Sequence, residues 1–379
     1  MASTASIAFA WPLQFCTFTT IATFVASIVT LNVSQVDRLW TFLPTIYVTY
    51  FAFLPLWSNR QLAYLVPYTP RTLGWAVAEE FSPRALLMFS LVVLWMFRLS
   101  YNTYRRGLFN LSDEDYRWAV LRKQLHPVLF QITNFVFISG IQNLILLLLG
   151  LPAYVAAVLQ PHSRLEVSDW VFTVLALAVL GFEFTADNQQ YSYQAYKHAY
   201  LASKRKDKPI KPYDPLMQWP GSRLDWTPTD AERGFIAQGL WAYSRHPNFL
   251  CEQSFWWIIT LMPLAASAPP GIPSLAESPS LGDVFSGLPY SVLDLIYPLR
   301  YLSPAIVLSL LFISSTCYTE NITRGKYTKA YAAYQERVSM FNPLGTLVKI
   351  GTLKFSGKND AMEALIWGKP KQKGKGKAE

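Results

Sequence analysis

The densest chemistry in this sequence is the run Gly239-Leu-Trp-Ala-Tyr-Ser-Arg-His-Pro-Asn-Phe-Leu-Cys-Glu252. Pro247 suits the first position of a helix, because its missing N–H is one that a helix start cannot use, and it holds His246 outside that helix. Arg245 and His246 then stand at a helix N-terminus whose free N–H groups favour an anion. Asn248 and Glu252, four apart, share one face of the first turns. Phosphate oxygens could meet the arginine and the helix end, with Asn248 and Glu252 available to ribose hydroxyls or an amide. A purely structural reading stays open beside this one: Arg245 snorkels, His246 caps and Glu252 pairs with a neighbouring cation.

A second group recurs as Glu183, Asp187, Gln190, Gln194 and Lys197, one polar stripe at helical spacing. A solvated face accounts for its C-terminal end. It does not account for Glu183, which follows a long apolar run, and an ionisable residue within a membrane helix most often faces the bundle interior. The third group is Trp95-Met-Phe-Arg-Leu-Ser-Tyr-Asn102, with Arg105 and Arg106 beyond it. Arg98 and Asn102 share a helical face. Glu114, Asp115 and Arg117 read as a surface ion-pair set worth under about 1 kcal/mol.

Other chemistries are excluded by what the chain lacks. There is no GxGxxG after a strand, no Gly-Lys-Ser/Thr phosphate loop and no HExxH, so no metal site is expected. Cys16, Cys251 and Cys317 lie far apart in apolar stretches, which removes a disulfide framework and a CxxC pair. No nucleic-acid partner is expected.

The elements that must position these groups follow from composition. Of 379 residues 52% are apolar and 15% charged, against roughly 25% charged in a soluble domain. The apolar residues fall in runs near the roughly 20 residues a membrane helix needs. Seven runs qualify as spans: 7–31, 41–57, 85–97, 128–151, 170–186, 249–268 and 302–318. The expected fold is therefore an all-α, polytopic helix bundle with about seven transmembrane helices. The first run lacks the basic n-region of a signal peptide and is too long for one. Residues 284–299, broken by Gly287, Pro289, Asp294 and Pro298, read as interfacial or re-entrant.

Alternating sides across seven crossings puts 27 Lys and Arg on one side and 5 on the other, with Arg98 at a helix end. By the positive-inside rule the C-terminus is cytosolic and the N-terminus lumenal. Sequons at Asn32, Asn110 and Asn321 would then stay unmodified. The basic end, 369–379, reads either as a segment drawn to anionic lipid or as a retrieval signal of the endoplasmic reticulum membrane, since Lys375 and Lys377 resemble a dilysine address. The expected division is a lumenal end and helix start over 1–19, a transmembrane domain over 20–345 with a loop insertion at 268–300, and a basic cytosolic tail over 346–379.

At these residues the chain resembles the membrane family that shares the steroid 5-alpha-reductase C-terminal domain, in its uncharacterised branch from fungi, plants and bacteria. The run from Gly239 to Glu252 matches that family's signature. Asp37 with Trp40, Trp95 with Arg98 and Leu99, Glu114 with Asp115 and Arg117, Glu183 with Asp187 and Gln189, and Tyr331 with Tyr334, Gln335 and Arg337 match its further motifs in order. The likeness covers roughly 20–345. Ala186 replaces a glycine in the fifth-helix motif; the departures are Phe249 for a tyrosine, Cys251 for a glycine and the long 268–300 loop, which put catalytic competence rather than fold in question.

The resemblance implies a reductase that binds NADPH in the C-terminal helices and reduces a carbon–carbon double bond of a lipid or steroid-like substrate. It puts the phosphates near Arg245, Arg337 and Arg98, His246 at the same cofactor site, and Asn248, Glu252 and Asp187 on the nucleoside or nicotinamide. The proton donor would be Tyr243, Tyr193 or Glu183. Two alternatives stay open: an S-adenosylmethionine-dependent lipid or prenylcysteine methyltransferase, and a non-catalytic lipid-binding protein. A charge of +9 suits a cofactor with three phosphoryl groups better than a sulfonium.

Overall fold

The computed structural model describes residues 4–205, 212–267 and 297–368. Among them no strand forms and helices carry the architecture. Five helices are long and apolar enough to cross a membrane: α1 (Ala10–Thr30), α3 (Pro83–Arg105), α4 (Pro127–Leu159), α5 (Val167–Arg205) and the stretch Arg300–Lys326, whose α-helical part is α7 (Ser303–Lys326). Of the remaining expected spans, 41–57 folds into the ten-residue α2 (Leu43–Ala52) and 249–268 into the 18-residue α6 (Pro247–Leu264). Packing divides the chain into two compact units, Met1–Ala178 with Gln253–Leu311, and Val179–Glu252 with Phe312–Glu379.

In the first unit α1 shows why an apolar helix turns one face inward. Thr19, Thr23 and Ser27, four apart, are buried, while Ile21, Val25 and Val29 are exposed as a lipid-facing stripe. The small polar face lets α4 approach: Asn134 Nδ2 donates to Ser27 Oγ at 2.8 Å and Asn143 Nδ2 to Thr23 Oγ1 at 3.3 Å. A Cβ on Gly150 of α4 would stand 2.7 Å from that of Tyr47, so glycine is needed where α2 and α4 touch.

α2 is only about 15 Å long at 1.5 Å per residue, too short for a hydrocarbon core of about 30 Å. It nevertheless belongs to a traverse, because the contacts at its two ends lie at opposite ends of α1. Asn32 Nδ2 donates to the carbonyls of Leu111 and Asp113, and Trp118 Nε1 to Asp37 Oδ2, so 32–37 packs with 111–118. Trp11 Nε1 donates to the Leu65 carbonyl and Gln61 Nε2 to Gln14 Oε1, so 61–65 meets the start of α1. Irregular backbone is tolerated at that depth where protein encloses it. Tyr47, Tyr50 and Phe51 are fully buried, and Trp57 and Thr69 side chains satisfy the carbonyls of Tyr50 and Leu54.

In the second unit 212–246 packs on 327–368. Arg245 N–H donates to the Ser339 carbonyl and His246 N–H to that of Met340. α6 is about 27 Å long. Among the described residues five helices are long and apolar enough to cross a membrane.

Of the expected tail, 346–368 folds. α9 (Pro343–Phe355) and α10 (Asn359–Trp367) follow α8 (Thr328–Arg337). Ile366 is buried against Phe235, Tyr331 and Tyr334, and Trp367 Nε1 donates to the Ala237 carbonyl at 3.0 Å. The basic run 369–379 with Lys375 and Lys377, most of the expected insertion and most of the interfacial stretch 284–299 lie outside the described residues.

Candidate functional site

The signature run folds as a short 3-10 turn, Gly239–Ala242, followed by bends at Arg245 and His246 that lead into α6. Gly239 is required twice over: its φ is +63°, and a Cβ there would meet Gln189 Oε1 at 2.6 Å. That close approach serves a clamp. The Leu240 N–H donates to Gln189 Oε1 at 3.0 Å, while Gln189 Nε2 donates to the Gly221 carbonyl at 3.1 Å. Trp241 Nε1 reaches the Ala186 carbonyl, the Tyr334 hydroxyl donates to the Trp241 carbonyl, and Thr346 Oγ1 donates to that of Tyr243 at 2.6 Å. The turn is therefore held by α5, α8 and α9 together.

Beyond the turn, Arg245 meets a carboxylate that sequence reasoning missed. Arg245 Nε donates to Glu320 Oε1 at 2.6 Å and Nη2 to Glu320 Oε2 at 2.9 Å, a two-pronged pair with both side chains buried. Its Nη1 donates to the carbonyls of Gln335 and Val338. His246 Nε2 stands 2.9 Å from Glu320 Oε1, and Gln335 Nε2 donates to Glu320 Oε2 at 2.8 Å. Burial pushes the His246 imidazole below its usual range, against the pull of Glu320. A neutral His246 donates its Nε2–H to the carboxylate. The sequence did carry a signal for Glu320: an acid at the end of the last apolar run, as Glu183 is at the end of the fifth.

The second feature is the amide–carboxylate pair between α5 and α6. Asn248 Nδ2 donates to Asp187 Oδ1 at 3.1 Å, and Asn248 Oδ1 is buried with no partner among the described residues. Asp187 and Glu183 are buried on α5, one turn apart on one face, and Glu252 is buried on α6 one turn beyond Asn248.

Of the remaining residues named from sequence, Tyr193, Tyr243, Arg337 and Phe249 lie in the second unit and Arg98 in the first. Tyr193 is fully buried beside Trp226 and Trp241, with its hydroxyl on the Asp230 carbonyl at 3.0 Å. Tyr243 is exposed. Arg337 turns to α10, donating to Asn359 Oδ1 and to Glu363 Oε1 at 2.7 Å under the Trp367 ring. Arg98 lies on α3 and belongs to the first unit. Phe249, where a tyrosine was expected, stacks on the His246 ring at 5.6 Å and meets the edge of Phe312.

Comparison with known proteins meets this geometry at the signature run. The model of the family described as "Protein of unknown function (DUF1295)" matches residues 23–272, which contain the whole run from Gly239 to Glu252. The chain belongs to the DUF1295 family. A relative in Schizosaccharomyces pombe, described as an uncharacterized protein, is 31% identical over 317 residues, covering 84% of this chain and 74% of the relative. No solved structure matches. The DUF1295 match ends before α7, so Glu320, Gln335 and Arg337 lie outside it.

Proposed function

We propose that this chain is an integral membrane reductase that uses NADPH to saturate a carbon–carbon double bond in a lipid or steroid-like substrate, on a domain like that of the steroid 5-alpha-reductases. The observation that carries the reading is the Asp187–Asn248 pair with its buried, unsatisfied amide oxygen. An orphaned buried acceptor costs about 1–3 kcal/mol, and a ribose hydroxyl or carboxamide N–H would relieve it. The residues thus suit the nucleoside or nicotinamide side of the cofactor. On the phosphate side Arg245 is already committed to Glu320, whereas the Glu363 partner of Arg337 is 43% exposed and can be exchanged for a phosphate.

When bound, the cofactor supplies a hydride. Asp187 and Asn248 orient it, and the Arg245–Glu320 pair fixes the start of α6 that carries Asn248. The proton donor is one of three groups: Glu183, which shares its helix face with Asp187, the exposed Tyr243, or Tyr193, whose hydroxyl donates to the Asp230 carbonyl. The Lys and Arg asymmetry and the dilysine-like end support a place in the endoplasmic reticulum membrane with the C-terminus cytosolic.

A second reading, S-adenosylmethionine-dependent methyl transfer to a lipid, is favoured by one observation. Arg245 is neutralised by Glu320, and a sulfonium cofactor, unlike NADPH, needs no guanidinium for phosphates. Thermal denaturation of the purified chain separates the two. At about 100 times its Kd, NADPH should stabilise by about 2.7 kcal/mol, and Asn248→Ala should abolish the shift. A shift with S-adenosylmethionine alone removes the reductase reading, and no shift with either favours a non-catalytic lipid-binding protein.

A further inference from the structure

α9 (Pro343–Phe355) presents an outer face of unusual make-up for a segment beyond the last span. Leu344 is 70% exposed, Leu347 54%, Val348 69% and Phe355 97%. With 3.6 residues per turn, Leu344, Val348, Gly351, Thr352 and Phe355 form one continuous stripe, and Leu347 sits at its edge. The opposite face, Thr346 and Leu353, is buried in the second unit. Thr346 Oγ1 accepts from the Ser339 N–H and donates to the Tyr243 carbonyl, so the helix cannot roll its apolar stripe inward.

The charges are placed as distinctively as the apolar groups. Lys349 and Lys354 fall on the two rims of the stripe, and Lys358 follows the helix. Lys349 leans back to the Gln335 carbonyl at 2.8 Å, while Lys354 is exposed. An apolar stripe with a cation at each edge is the pattern of a helix that lies in the plane of a bilayer, its ammonium groups rising to lipid phosphates. Cationic rims oppose the docking of a second copy of the same face, and they complement an anionic surface. The bilayer is also at hand, since α9 begins 17 residues after the end of α7.

We infer that α9 is an interfacial anchor, its Leu344, Val348 and Phe355 side chains inserted at the boundary of headgroups and acyl chains, with Lys354 and the following Lys358 on anionic lipid phosphates. Near such a surface each lysine contributes about 1 kcal/mol, which is about fivefold in an equilibrium. The anchor fixes the Thr346–Tyr243 and Ser339 contacts, and through them the turn that leads into α6. The inference stands independently of the cofactor that the site takes.

The test uses the full chain in nanodiscs of phosphatidylcholine, with and without phosphatidylserine, and in amphipol without lipid. Amide hydrogen exchange over 343–358 should be slower in nanodiscs than in amphipol, and slower again by about fivefold per engaged lysine when phosphatidylserine is present. Lys354→Gln together with Lys358→Gln should remove the phosphatidylserine increment and keep the step from amphipol to nanodisc. Val348→Glu should remove both, with exchange in α8 unchanged to show that the unit remains folded. Equal protection in amphipol and nanodiscs would assign the cover to another part of the chain and overturn the inference. Protection that rises with protein concentration in amphipol would assign it to a second copy and overturn it as well.

Discussion

Two buried arginines sit at helix starts in this protein, and they do different things. In the first unit Arg84 donates from Nε and Nη2 to Asp169 at 2.7 and 3.0 Å, with Nη1 on Gln160 Oε1 and Nη2 near Glu166. All its partners are side chains, and Gln160 passes the network on to the Pro263 carbonyl. In the second unit Arg245 makes the same two-pronged pair with Glu320 but also donates to two carbonyls, and its carboxylate is shared with His246 and Gln335. The Arg84 cluster staples the first turns of α3 and α5. The Glu320 cluster fixes a non-helical backbone turn and places a titratable ring in it, next to the residue that carries the orphaned amide. A buried arginine in a membrane protein is therefore not in itself a ligand site, and what distinguishes the two is the backbone each one supports.

The largest effect tests how far the likeness goes. Removing one carboxylate leaves an uncompensated buried guanidinium, so Asp169→Ala and Glu320→Ala should each destabilise by about 3–5 kcal/mol in thermal denaturation. Glu320→Ala should be the worse, because Arg245, His246 and Gln335 all lose a partner. Equal losses would mean that His246 and Gln335 add nothing to the second cluster.

Replacing both partners sharpens the contrast. Arg84→Met with Asp169→Leu should recover most of the single-mutant loss, since a well-packed apolar pair often equals a buried ion pair. Arg245→Met with Glu320→Leu should remain about 1–3 kcal/mol below the native chain, because the carbonyls of Gln335 and Val338 lose their donor. Full recovery in the second case would reduce Arg245 to the role of Arg84.

The smallest effect depends on pH. His246 is held below the ordinary imidazole range by burial, so it takes a proton less readily in the folded chain than in the unfolded one. Its contribution to stability is present above the unfolded pKa of about 6.5 and is lost as pH falls below it, by at most about 1.4 kcal/mol per pH unit. Denaturation midpoints followed from pH 7.5 to 5 should fall more steeply for the native chain than for His246→Gln. Parallel curves would show that the Glu320 cluster does not titrate there.

Much of this was legible in the chain. The apolar runs specify the helices, and the spacing of Thr19, Thr23 and Ser27 marks the inner face of α1. Gly239 announces a turn that needs a positive φ. Sequence also singled out the pairing partners, Asp187 by its place in a polar stripe at helical spacing and Asn248 by the face it shares with Glu252. It did not show that they meet, since 61 residues separate them and nothing local encodes their approach. Nor did it pair Arg84 with Asp169 or Arg245 with Glu320, which lie 85 and 75 residues apart.

What the sequence determined by itself is the class of the molecule, an all-α polytopic membrane protein, because runs of about 20 apolar residues have no other low-energy environment than lipid. Tertiary structure decided which charges are neutralised within the protein and which remain for a ligand or a lipid. Arg245 was assigned to Glu320, Arg337 to Glu363, and the stripe of α9 to the outside. Charge pairing is a property of distance and dielectric, and both are set only when segments far apart in the chain have packed.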